Sequence, residues 1–145
     1  PPAPPLPPGT KAQKAPDLPE KAKADAKASR GGTLFVGGYT DGVFAAGAPI
    51  EADTKRSYID YTIHVLRPGV HQIDLVSSDT GSYDPYVRLL KGDAELAHND
   101  DGGEGLQSQL LYVLDKGVHK VRVSSFGAAP PAAPVSYRLY VRKIN

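Results

Sequence analysis

Between Thr33 and Ile144 apolar and polar residues alternate along several short stretches. "SYIDYTIHVL" (57–66) sets Ile59, Tyr61, Ile63 and Val65 against Tyr58, Asp60, Thr62 and His64. "GVHKVRVSSF" (117–126) places Val121 and Val123 on one face, Lys120 and Arg122 on the other. "VSYRLYVRKI" (135–144) divides Tyr137, Leu139 and Val141 from Arg138, Tyr140 and Arg142. Successive strand side chains point to opposite faces, so each stretch predicts a strand with one buried face. Further strands are predicted at 33–40, 70–77, 85–91, 94–98 and 108–114. Turn signals separate them: "RPG" (67–69), "KGD" (91–93), "DDGGEG" (100–105) and "DKG" (115–117). About eight short strands without helical periodicity predict an all-β, antiparallel β-sandwich or jelly roll over residues 33–145.

Residues 1–32 break this pattern. Eight of the fourteen prolines fall before residue 20, and Leu6 and Leu18 are the only large apolar side chains among the first 30 residues. Such a segment cannot bury enough surface to offset its own ordering entropy. "PPAPPLPPG" predicts a polyproline II rod about 28 Å long. In "DLPEKAKADAKASRGG", Asp17 and Glu20 have capping-box spacing, Pro19 suits a first turn and Gly31 a stop. A short helix over 18–30 and a solvated linker are both compatible with that composition.

Charge separates the same two parts. Residues 1–30 carry +3 and the remainder −2, so a basic arm precedes a mildly acidic body, a split that suits docking of the arm on a like body. The body has no clustered basic face for nucleic acid. No apolar run is long enough to span a bilayer as a helix. Cysteine is absent, which excludes disulfide and thiol chemistry, and Met is absent even at position 1. The expectation is a secreted chain whose signal peptide has been removed.

Candidate chemistry is sparse. Residues 79–105 hold seven carboxylates against Arg88 and Lys91. Such oxygen density suits a hard cation, so Asp79, Asp84, Asn99, Asp100, Asp101 and Glu104 are candidate calcium ligands. The competing reading is that these residues cap turns. His64, His71, His98 and His119 occur singly, without metal-ligand spacing, and read as half-exposed strand residues. No nucleophile elbow or phosphate loop occurs, so an enzyme is not expected. Tyr61 and Tyr137 fall on inward registers, whereas Tyr58, Tyr140 and one of Tyr83 or Tyr86 fall on outward ones. Exposed tyrosines are good contact residues for polymers and protein partners.

The stretches "SYIDYTIHVLRPGVHQIDLVSS", "YDPYVRLLKGDAELAHNDDGGEGLQSQLLYVL", "KGVHKVRVSSF" and "SYRLYVRK" lie in order from Ser57 to Lys143, over 87 of the 145 residues. Their order resembles the bacterial pre-peptidase C-terminal (PPC) domain family, and "DPYVRLL…LAHNDD…S" is its most specific part. The resemblance implies a jelly-roll-like sandwich on secreted bacterial proteins, commonly attached to a protease and not itself catalytic. It also implies kinship with the collagen-binding modules of bacterial collagenases, some of which bind calcium.

Two functions follow as expectations. The first is a secreted, non-enzymatic structural subunit whose arm, through Pro1, Pro2, Pro4, Pro5, Leu6, Pro7 and Pro8, docks on neighbouring copies to build a homo-oligomer or filament. The second is an extracellular binding module for collagen-like protein, polysaccharide or a cell surface, using Tyr58 and Tyr140, or a protease-appended PPC domain.

Overall fold

The computed structural model of the chain describes residues 3–81, 83–99, 107–125, 127 and 131–145. Pro1, Pro2, Asp100, Asp101, Glu104 and the "DDGGEG" turn lie outside the described residues. Among the described residues nine strands form: β1 (Gly32–Phe35), β2 (Tyr39–Phe44), β3 (Tyr58–Val65), β4 (Gly69–Ser77), β5 (Pro85–Lys91), β6 (Ala94–Asn99), β7 (Ser108–Leu114), β8 (Gly117–Ser125) and β9 (Val135–Lys143). They make a five-stranded sheet, ordered β1-β3-β8-β5-β6, and a four-stranded sheet, ordered β2-β9-β4-β7. Every pairing of these strands is antiparallel except β1 with β3. The sandwich predicted from alternation is the fold observed.

The inward set lies between the sheets: Ile59, Tyr61, Ile63 and Val65 from β3, Val121 and Val123 from β8, and Tyr137, Leu139 and Val141 from β9. Leu89 from β5 and Ile73 and Leu75 from β4 complete its centre at zero exposure.

The predicted strand over 33–40 is two strands. After β1 the chain turns at Gly37 (φ 94°) and Gly38, whose amide donates to the Phe35 carbonyl at 3.0 Å. It then crosses to the other sheet as β2, paired along β9. The sequence "YTDGVF" hid this strand because Gly42 interrupts it, and glycine weakens a strand interior. The structure explains the glycine. A Cβ on Gly42 would stand 2.3 Å from the Tyr137 hydroxyl oxygen, so the buried phenol occupies the space a side chain needs.

A helix over 18–30, one of the two readings its composition allows, does not form. The arm is extended, with turns at Pro8 and Gly9, where the Thr10 amide donates to the Pro7 carbonyl at 3.2 Å, and at Ala24 and Asp25, where the Ala26 amide donates to the Lys23 carbonyl at 3.0 Å. A lone helix of this length is marginal in water, and contacts with the sandwich outweigh it. Pro19 is buried and Ala28 packs against the core. Ser29 binds the outer edge of β2 twice, its amide donating to the Val43 carbonyl and its hydroxyl accepting from the Val43 amide, each at 2.9 Å. Gly31 (φ 81°) then delivers the chain into β1, where a Cβ would stand 1.9 Å from the Asp60 carbonyl oxygen.

Gly42→Ala is expected to lower the unfolding free energy by about 1–3 kcal/mol through overpacking against Tyr137. Urea denaturation reads this directly, and a variant as stable as the parent would contradict the packing described.

Candidate functional site

The outer face of the four-stranded sheet carries the most organised polar surface of the arm-bearing side. Alternation along β9 turns Arg138, Tyr140 and Arg142 outward, and the register sets Tyr39 opposite Tyr140 and Asp41 opposite Arg138. Arg138 forks onto Asp41, donating through Nε at 2.6 Å and through NH2 at 2.9 Å. Its guanidinium also lies 4.2 Å from the Tyr39 ring centre, and the bond to Asp41 raises its pKa. Arg142 lies 4.6 Å from the Tyr140 ring centre. The two rings meet edge to face at 6.4 Å and 81°. Tyr39 is 56% exposed, whereas the Arg138 and Arg142 side chains are 17% and 15% exposed. The row Arg138–Tyr39–Tyr140–Arg142 therefore offers an open tyrosine ring backed by two largely covered guanidiniums, an arrangement suited to polar polymer and protein surfaces.

The arm runs beside this row. Arg138 donates to the Asp17 carbonyl at 3.2 Å and Arg142 to the Lys14 carbonyl. The Gln72 side chain clamps the backbone of Gln13, accepting from its amide at 2.7 Å and donating to its carbonyl at 2.8 Å. Beneath, the Asp74 carboxylate accepts from Gln72 at 2.8 Å, Gln109 at 2.9 Å and Arg142 at 3.2 Å. Asp74 and Gln72 are fully buried, and their paired partners make that burial tolerable. By contrast Pro4, Pro5, Leu6, Pro7 and Pro8 are exposed, with Leu6 39% accessible.

Tyr58 and Tyr140 do not share a surface. Tyr58 belongs to the five-stranded sheet, where the Arg122 guanidinium covers its ring at 4.1 Å. Glu51 bridges Arg88 and Arg122 there at 2.6 and 3.3 Å, and Arg122 also binds Asp60 at 2.7 Å. The outward placement of Tyr83 is corrected: the residue is 1% exposed, stacks on Phe44 at 4.6 Å and donates to the Ser124 carbonyl at 2.8 Å. It precedes β5, so strand alternation does not govern it. Tyr86 is also buried, between the Arg56 guanidinium at 4.8 Å and the His98 ring at 5.6 Å.

The acidic candidates that are described hold turns and strand ends. Asp79 accepts from the Gly81 amide through Oδ1 and from the Tyr83 amide through its carbonyl, both at 3.0 Å. Asp84 follows Tyr83 directly ahead of β5, and Asn99 ends β6, where its carbonyl accepts from the Ser108 hydroxyl. Among the described residues no three His, Asp or Glu side chains converge as a metal site. Among the described residues no helix is long and apolar enough to cross a membrane.

The reading of all four histidines as half-exposed is corrected for two. His64 and His98 are exposed, but His71 and His119 are 1% and 3% exposed. The repeated "GVH" of 69–71 and 117–119 puts each imidazole on the inward register of a strand start. His71 Nδ1 is 2.8 Å from the Gly69 carbonyl. Burial lowers both pKa values, with the Lys91 charge adding to the effect at His119.

No protein-family model matches the chain, and no curated protein does. Among solved structures it is similar to the pre-peptidase C-terminal domain of a collagenase from Bacillus anthracis, with a TM-score of 0.56 at 12% identity. That match covers 81% of this chain and 99% of the domain. PliG, a periplasmic inhibitor of g-type lysozyme from Aeromonas hydrophila, gives a TM-score of 0.47 at 14% identity, covering 77% of this chain and 97% of that one. The first likeness supports a PPC-like fold.

Because the folded imidazoles bind protons less readily than unfolded ones, the unfolded state gains protons first as pH falls below about 6.5. Stability is therefore expected to drop between about pH 7 and 5.5, and His119→Gln should flatten that slope. An unchanged slope of the thermal midpoint in this variant would contradict the assignment.

Proposed function

We propose that this chain is a non-catalytic extracellular binding module that acts through the Arg138–Tyr39–Tyr140–Arg142 row. The observation that carries this reading is the edge-to-face tyrosine pair flanked by two guanidiniums on an otherwise hydrogen-bonded sheet face. The PPC-like fold adds support, since that fold occurs as an appended domain of a collagenase. The partner class is an extended polar polymer, a collagen-like protein or a polysaccharide, whose hydroxyls and CH faces suit aromatic rings. Pull-down on insoluble collagen, chitin and cellulose tests it. Retention on one of them should fall about tenfold or more in Tyr39→Ala and Tyr140→Ala, as for central interface aromatics. Retention unaffected by both substitutions, or none on any polymer, would sink the reading.

A second reading is self-assembly through the arm, favoured by the exposed rod at residues 3–9. The strap at 13–31 stays on its own sheet, and Pro4, Pro5, Leu6, Pro7 and Pro8 engage a neighbouring copy. Sedimentation should then show large particles for the full chain and monomers after deletion of residues 1–10. Identical sedimentation of the two chains would exclude the rod as the assembling element.

A further inference from the structure

A groove of about 330 Å³ lies where the ends of β1, β3, β4 and β9 meet. Phe35, Val36 and Leu66 supply its apolar lining. Phe35 and Leu66 are 75% and 78% exposed, unusual for side chains of their size. The register Phe35–His64–Val118 across β1, β3 and β8 extends the patch to Val118, itself 54% exposed.

The groove is cationic as well as apolar. Arg67 and Lys143 line it and no carboxylate side chain does. Arg88, Arg122, Arg138 and Arg142 each pair with a carboxylate, whereas Arg67 and Lys143 form no ion pair among the described residues. The exposed His64 and the buried His71 also line the groove. The site therefore combines apolar side chains facing water with two cations that form no ion pair among the described residues. Beside it β1 pairs on one side only, and Gly32 and Thr33 are exposed along its edge.

We propose that this groove docks an extended acidic peptide segment of another protein. An apolar side chain of that segment covers Phe35 and Leu66, and its carboxylates meet Arg67 and Lys143. The open strand edge favours a peptide over a fatty carboxylate, because an extended backbone finds partners there. The chain's own arm is a poor occupant, since Lys11 and Lys14 follow the rod and would face the groove's cations. The groove shares no residue with the tyrosine row, so this inference goes beyond the polymer-binding reading and stands or falls apart from it.

The test is an NMR titration of the isotope-labelled full chain with a blocked tetrapeptide of alternating phenylalanine and glutamate. Saturable shifts are expected at the amides of Val36, His64, Leu66, Arg67 and Lys143. Arg67→Ala and Lys143→Ala should each weaken binding about two- to fivefold, the range for exposed charge pairs. Leu66→Ser should weaken it too while leaving the rest of the spectrum unchanged, because the side chain is exposed. Equal affinity for the glutamine analogue, tighter binding of dodecanoate or of a peptide of residues 3–10, or no saturable shift at millimolar peptide would each overturn the proposal.

Discussion

Two phenols meeting inside the sandwich tie its sheets together. Tyr61 comes from the five-stranded sheet and Tyr137 from the four-stranded one, and their hydroxyl oxygens are 2.7 Å apart. Buried hydroxyls are costly without partners, so this pair fixes how the sheets face each other as well as how far apart they stand. Burial raises the pKa of Tyr61, Tyr137 and neighbouring Tyr83, keeping all three as neutral hydrogen-bonding groups. The consequence reaches the surface through β2. Tyr137 presses on Gly42, the adjacent Val43 binds Ser29, and Ser29 holds the end of the arm. Core geometry thereby sets where the arm joins the sandwich.

That path explains the second unusual feature, a strand buried on both faces. In β4 the inward Ile73 and Leu75 face the core, while the outward Gln72, Asp74 and Val76 are also inaccessible. The arm supplies the missing cover, with Gln13 clamped on Gln72 and residues 14–18 passing beside Val76. Once Asp74 is covered, Arg142 and Gln109 must satisfy it, and Arg142 is thereby held over Tyr140. The candidate binding row is in this sense a by-product of burying one carboxylate.

Alternation made most of the fold legible: the faces assigned to β3, β8 and β9 are the observed ones. What escaped depended on tertiary contact. Gly42 disguised β2 because the reason for a glycine, the Tyr137 phenol, lies on another strand. The arm's composition could not reveal that backbone carbonyls at Lys14 and Asp17 would meet arginines more than a hundred residues away. Tyr140 was visible as an outward residue, but the pairing with Tyr39 was not, because the predicted strand over 33–40 is two strands and Tyr39 opens the second. His71 and His119 were misread although each lies two residues before an inward apolar residue, Ile73 and Val121, so that the strand register turns it inward. The repeated "GVH" was a second clue, since it sets both imidazoles at matching positions of their strands.

The strapping of the arm across its own sheet is the claim on which the binding face depends. The chain has no cysteine, so Asp17→Cys carries a spin label at a single site while leaving the backbone carbonyl that Arg138 uses. Paramagnetic broadening of the Arg138, Tyr140 and Arg142 amides is the direct readout. The arrangement described predicts broadening within labelled molecules that persists on dilution, and none when label and isotope sit on different copies. Broadening that appears only between copies would contradict it.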